Sequence, residues 1–158
     1  MGGVTRVKKN EFTAEDILKK HETNVKSAVS GYCLAGILGL FYIIRFIVTK
    51  NLDFYFSLNF TRLMLVFGIE GKISTAVSLV LALAFAAAYF AVTVLAVKRA
   101  KGLWLCMGMY IFDTLCFVPL GLVAGEIKPE FFIDVIVHAF VLVFLAAGIK
   151  SQGKISNK

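Results

Sequence analysis

The chain has 158 residues and a net charge of +7; 59% of its residues are hydrophobic and only 17% are charged. Soluble domains are about 45–50% apolar and about 25% charged, so a soluble globule of this length could not bury this much apolar surface. The composition therefore excludes a soluble or a disordered protein and indicates that lipid surrounds most of the chain.

Four apolar windows each approach or exceed the roughly 20 residues needed to cross a 30 Å hydrocarbon core. Unpaired backbone groups are costly in hydrocarbon, so each window is predicted to be a helix. The windows also lack the alternating pattern of a membrane β-barrel. The sequence predicts an all-α integral membrane protein with a four-helix membrane domain over residues 29–149, its spans covering residues 29–48, 73–97, 103–125 and 131–149.

A basic lead-in, residues 1–28, comes before the first span, and a basic tail, residues 150–158, follows the last. Thr13 followed by Asp16 is typical of a helix start, because the Thr hydroxyl can cap free amides. The helix after it would carry a thin apolar stripe of Ile17, Leu18 and Val25. It is either an amphipathic helix on anionic lipid headgroups or a solvated lead-in to the first span.

The connection between the first two spans, residues 49–72, is unusually apolar. Aromatic and aliphatic residues alternate with polar ones at its start, and residues 63–69 are almost wholly apolar. The apolar part of this connection is too short and broken for a fifth span, and Arg62 interrupts it. The sequence predicts an interfacial or re-entrant outer segment, with an amphipathic cover anchored by aromatic residues as the alternative.

The positive residues predict the orientation of the chain. Twelve of the 17 Lys and Arg residues fall on the side of the termini: Arg6, Lys8, Lys9, Lys19, Lys20, Lys26, Lys98, Arg99, Lys101, Lys150, Lys154 and Lys158. Both termini are therefore expected in the cytoplasm, with the spans in the plasma membrane and the basic ends near anionic inner-leaflet lipids. Because these residues are scattered along membrane-flanking segments, nucleic-acid binding is not predicted.

Small residues at four-residue intervals predict close helix contacts. They are Gly31, Ala35 and Gly39 in the first span, Ser78, Ala82 and Ala86 in the second, and Gly121 and Gly125 in the third. These ridges would join helices within one bundle or, alternatively, join copies in a homo-oligomer or a larger membrane complex. Pro119 is expected to kink the third span.

Polar residues inside the spans are the candidates for function. Asp113 lies eleven residues from Ala124, about 16 Å deep at 1.5 Å per residue, and His138 lies about 12 Å deep on the neighbouring span. The similar depths predict an Asp113–His138 contact, because a charged Asp there must pair or stay protonated. Tyr110 would share the face of Asp113 and could donate a hydrogen bond to it.

A second polar pair is predicted one turn away. Asp134 precedes His138 by four residues and so shares its helix face. Arg45 enters the first span at a comparable depth from the outer boundary, which makes an Arg45–Asp134 pair available, although Arg45 could instead extend to the interface.

Three functions remain open from the sequence. The leading hypothesis is a non-catalytic accessory or assembly subunit in which the polar pairs are structural. The alternatives are a proton-linked transporter or channel component using Asp113 and His138, and a lipid-modifying membrane enzyme with Asp134 and His138 as acid–base groups. No catalytic, cofactor-binding or metal-binding motif is present, and the isolated Cys33, Cys106 and Cys116 are interpreted as small apolar fillers.

Overall fold

The computed structural model describes residues 13–52, 58–99, 101–124 and 129–156. These residues are largely helical and include no strand. The helices are α1 (Ala14–Thr49), α2 (Asn59–Ile69), α3 (Thr75–Lys98), α4 (Gly102–Leu115), α5 (Phe117–Ala124) and α6 (Pro129–Ser156). Most of the N-terminal half of the lead-in, the aromatic residues 54–56 and Gly125 lie outside the described residues.

The first helix begins at a capping box and continues through both the lead-in and the first predicted span. The amide of Asp16 donates to Thr13 Oγ1 at 3.2 Å, and the amide of Thr13 donates to Asp16 Oδ2 at 3.1 Å. The helix start predicted at Thr13 is thereby confirmed. α1 ends where Lys50 adopts a left-handed conformation with φ 55°. Residues 14–28 of the lead-in are therefore not a separate element but the first part of a 36-residue helix.

Four helical segments are long and apolar enough to cross a membrane, and each overlaps one predicted window. They are Glu15–Thr49, Thr75–Lys98, Gly102–Val123 and Phe132–Ile155. Only 22% to 33% of the apolar window in each segment is buried within the chain. Most of the apolar surface of these helices therefore faces outward, which a water-soluble domain of this size would not tolerate.

The third segment is interrupted at Cys116, between α4 and α5. Pro119 has no amide hydrogen, and its ring clashes with a helical carbonyl at Leu115, four residues earlier. The amide of Cys116 is shared between the carbonyls of Phe112 and Asp113, and the helix resumes at Phe117. The disturbance expected from Pro119 is thus found one turn before the proline.

The four long segments pack as a ring of neighbours. α1 contacts α3 and α6, and α4 contacts the same two helices. At the centre, the rings of Tyr32 on α1 and Tyr89 on α3 stack with centroids 4.0 Å apart. The short α2 lies against α3 and also contacts α1, α4 and α5.

The three small residues predicted to form a ridge on the second span all face partners within the chain. Ser78, Ala82 and Ala86 are buried, and Ser78 lies directly against Gly68 of α2. Ala82 and Ala86 pack in an apolar cluster with residues of α1 and α2. The ridge predicted on the second span therefore packs against both α1 and α2.

The small residues of α1 are divided between two environments. A Cβ at Gly39 would lie 2.7 Å from the side chain of Leu58. The absence of a side chain at Gly39 therefore lets Leu58, which directly precedes α2, pack closely against α1. Ala35 lines a small cavity described below, whereas a Cβ at Gly31 would meet nothing within 4 Å. The α1–α6 contact instead depends on Gly148, where a Cβ would lie 2.5 Å from that of Ala28. Gly121 is half-buried in α5.

Candidate functional site

A cluster of polar side chains lies buried in the middle of the bundle. Asp113 is eleven residues from both the start of α4 and the end of α5, and its exposed fraction is 0%. His138 and Asp134 on α6 are 5% and 2% exposed, and Asn59 at the start of α2 is 0% exposed. Three separate stretches of the chain therefore place polar groups in one buried interior site, called here the central cluster.

Asp113 binds the first turn of α2. The amide of Phe60 donates to Oδ1 of Asp113 at 2.9 Å, and the amide of Asn59 donates to Oδ2 at 3.2 Å. The N-cap residue of α2, Leu58, makes no side-chain capping bond of its own. A carboxylate from α4 thus supplies the cap that the local sequence lacks, and its negative charge faces the positive end of the α2 dipole.

His138 connects the other members of the central cluster. Its Nε2 lies 3.2 Å from Asp113 Oδ2 and 3.0 Å from Asn59 Nδ2. Its Nδ1 lies 2.9 Å from the backbone carbonyl oxygen of Asp134. The imidazole also stacks on the ring of Tyr110, with centroids 5.1 Å apart. The predicted contact between Asp113 and His138 is therefore present, with Asn59 as a third partner.

The hydrogen bonds of His138 restrict where its protons lie. A backbone carbonyl can only accept, so Nδ1 carries a hydrogen and donates to Asp134. Nε2 either carries a hydrogen that it donates to Asp113 Oδ2, or is bare and accepts from the amide of Asn59. The amide of Asn59 suits both cases, since its oxygen can accept from a protonated Nε2 and its NH₂ can donate to a bare one.

Asp134 is the least satisfied member of the central cluster. Its Oδ1 lies 3.5 Å from His138 Nδ1, while Oδ2 is buried with no hydrogen-bond partner among the described residues. Both residues line a cavity of about 20 Å³, together with Ala35, Leu38, Leu58, Tyr110 and Val137. A space of this size admits about one water molecule.

Two contacts expected from the sequence are not formed. Asp134 makes its side-chain contact with His138 and none with Arg45 in the described part of the chain. Ala35 and Leu38 are the α1 residues beside the cavity, and Arg45 lies seven residues beyond Leu38, about 10 Å away by helical rise. The ring of Tyr110 stacks on His138, and its hydroxyl does not donate to Asp113. The carboxylate oxygens of Asp113 accept from the amides of α2 instead.

Asn59 and the first amides of α2 are the functional groups that sequence reasoning missed. Asn59 precedes the apolar residues 63–69, and a polar residue ahead of an apolar run is a common helix start. That signal could have indicated a short helix, but it could not have indicated that the beginning of this helix would meet Asp113. Within the described residues, no group of three or more His, Cys, Asp or Glu side chains is arranged to hold a metal ion.

Comparison with known proteins adds no assignment to this geometry. No family model matches the chain, and no curated protein or solved structure is similar to it. The argument for function therefore depends on the central cluster and on the surfaces of the bundle.

Proposed function

We propose that the chain is an integral protein of the plasma membrane with four spans and both termini in the cytoplasm. Its four apolar segments and their outward-facing apolar surface support insertion. The orientation follows from the positive residues, since the α3–α4 connection and both ends of the chain carry most of them.

In this proposal α2 is a re-entrant helix that begins near the middle of the bilayer. Its first amides bind Asp113, which lies at the midpoint of the α4–α5 segment. Eleven helical residues then extend about 16 Å, which is half of a 30 Å hydrocarbon core. Free amides at that depth cost several kcal/mol each, so a helix can begin there only with an internal acceptor such as Asp113.

Cysteine labelling from the two sides of the membrane tests this orientation. In a background with Cys33, Cys106 and Cys116 replaced by Ala, we introduce Lys19→Cys, Lys101→Cys, Lys154→Cys or Lys72→Cys, all at exposed positions. A membrane-impermeant thiol reagent should label only the Lys72→Cys variant from outside intact cells. Labelling of any of the other three from outside would overturn the cytoplasmic location of the termini.

We further propose that the protein is a non-catalytic accessory or assembly subunit and that the central cluster is structural. The observation that carries this is that both oxygens of Asp113 bind backbone amides of α2. A carboxylate used in this way fixes a helix and is not free to bind a substrate. The cavity beside it, about 20 Å³, is also too small for a lipid headgroup, which removes the main support for a lipid-modifying enzyme.

Reconstitution and native size together test this function. The purified chain in liposomes containing a pH-sensitive dye should give no proton flux above protein-free liposomes. In membranes solubilised under mild conditions, it should migrate in an assembly larger than its own 17.4 kDa plus detergent. Proton flux by the purified chain that Asp113→Asn abolishes would overturn the structural assignment.

A proton-linked transporter or channel component is the second candidate. It is favoured by the 3.2 Å contact between His138 Nε2 and Asp113 Oδ2 and by the unpartnered Oδ2 of Asp134 beside the small cavity. In this case Asp134→Asn should reduce proton flux while leaving the capping of α2 intact, because Asp134 does not contact that helix. Equal flux in wild type and Asp134→Asn would count against a relay.

A further inference from the structure

A groove opens where the ends of three helices meet on the side of the chain termini. Its volume is about 450 Å³, and it lies between the early part of α1, the end of α3 and the end of α6. It is formed by Glu22, Val25, Lys26, Val29, Ser30, Ala96, Val97, Lys98, Arg99, Gln152 and Ile155. This surface, called here the basic groove, shares no residue with the central cluster or the cavity beside it and is not used by the proposed function.

The charges around the basic groove favour an anion. Lys26, Lys98 and Arg99 contribute three positive charges, and Glu22 contributes one negative charge. None of the three cations forms an ion pair with a carboxylate in the part of the chain that the structure describes. Their charge is therefore available to a ligand, and cations close together at a surface are attracted to phosphate groups.

The walls of the basic groove favour a ligand that is also apolar. Val25 and Val29 are one turn apart on α1, and Val97 and Ile155 approach from α3 and α6. Val97 is 72% exposed, so part of this apolar lining has no cover within the chain. An inorganic anion would use the cations alone, whereas a phospholipid would use the cations through its headgroup and the valines through its glycerol and upper acyl chains.

We propose that the basic groove binds one anionic phospholipid from the leaflet that faces the chain termini. The lipid phosphate lies among Lys26, Lys98 and Arg99, and the start of its acyl chains lies along Val29 and Val97. This inference rests on the proposed function only for membrane insertion and for the leaflet that supplies the lipid. The bound lipid would contact the ends of α1, α3 and α6. In the proposed orientation this end lies in the cytoplasmic leaflet, which is negatively charged.

Native mass spectrometry of the purified protein in detergent tests the site with dioleoyl-phosphatidylglycerol as the probe. The groove variant is Lys98→Gln with Arg99→Gln. The control variant is Lys19→Gln with Lys20→Gln, which removes the same charge from exposed positions that do not line the groove. We expect a one-to-one lipid adduct for wild type and control, and about thirty-fold weaker binding for the groove variant. Equal thermal unfolding of the two variants would exclude misfolding as the cause.

Three outcomes would overturn the proposal. Equal loss of binding in both variants would indicate attraction by overall charge instead of a site. Equal binding of dioleoyl-phosphatidylcholine would indicate an apolar groove with no preference for anions, and displacement by millimolar inorganic phosphate would indicate a simple anion site. Because binding in detergent does not depend on orientation, it can fail or succeed separately from the cysteine labelling that tests topology.

Discussion

Two of the sites at which polar side chains join helices differ in depth. At the centre, Asp113 and His138 are 0% and 5% exposed and hold α2, α4 and α6 together. Near the chain termini, Ser151 of α6 lies 3.2 Å from Nδ1 of His21 and accepts a 3.0 Å hydrogen bond from Nδ2 of Asn24, both on α1.

The burial of a polar contact affects how much it stabilises the fold more than its hydrogen-bond distance does. His21 and Asn24 are only half-buried, so water can replace Ser151 if the contact is lost. The α2 amides at Asp113 have no such replacement, because the central cluster is enclosed by apolar helices. Similar distances should therefore correspond to very different losses of stability on mutation.

Asp113→Ala should cause the largest loss, about 3–5 kcal/mol in the free energy of unfolding. It removes the acceptor of two buried amides and leaves His138 without its carboxylate. Asp113→Asn, which keeps one acceptor oxygen, should lose less, about 1–3 kcal/mol. Unfolding of the detergent-solubilised protein by increasing dodecyl sulfate measures both. An Ala variant as stable as wild type would mean that Asp113 does not cap α2.

The sequence predicted the parts of the fold that depend on local composition. Continuous apolar runs sufficed for the four long segments, and Thr13 with Asp16 sufficed for the start of α1. The proline rule anticipated the interruption near Pro119, although not its position at Cys116. Each of these features is determined by residues within one or two helical turns, so an isolated window contains the necessary information.

The central cluster was only partly predictable, because it depends on how the connection between α1 and α3 folds back. Equal depth from helix ends correctly suggested Asp113 with His138, since both lie on helices joined by a short connection. The same counting failed for Arg45, because Ala35 and Leu38 are the α1 residues beside the cavity that Asp134 lines. The arrival of Asn59 at Asp113 is a long-range event that no local pattern encodes.

Gly148→Val should cause an intermediate loss in the free energy of unfolding. It tests helix packing at a position that makes no polar side-chain contact. Its side chain would collide with Ala28 at the α1–α6 contact, and overpacking of this kind costs about 1–3 kcal/mol. Gly108→Val is the matched control, because a Cβ there meets nothing within 4 Å. It should change the free energy of unfolding by no more than about 0.5 kcal/mol. The same unfolding measurement applies, and equal losses in the two variants would contradict the close α1–α6 approach.

Ser151→Ala should cause the smallest loss, about 0.6 kcal/mol, which is typical of a hydrogen bond between helices in membrane proteins. The change removes the oxygen that faces both His21 and Asn24, yet both partners are half-buried and can turn to water. Ser27→Ala, at an exposed position of α1, is the control and should be neutral. If Ser151→Ala instead cost as much as Asp113→Ala, exposure to water would not distinguish the two polar sites. The contribution of each would then follow from the number of hydrogen bonds it makes, and the depth of Asp113 would no longer explain why α2 depends on it.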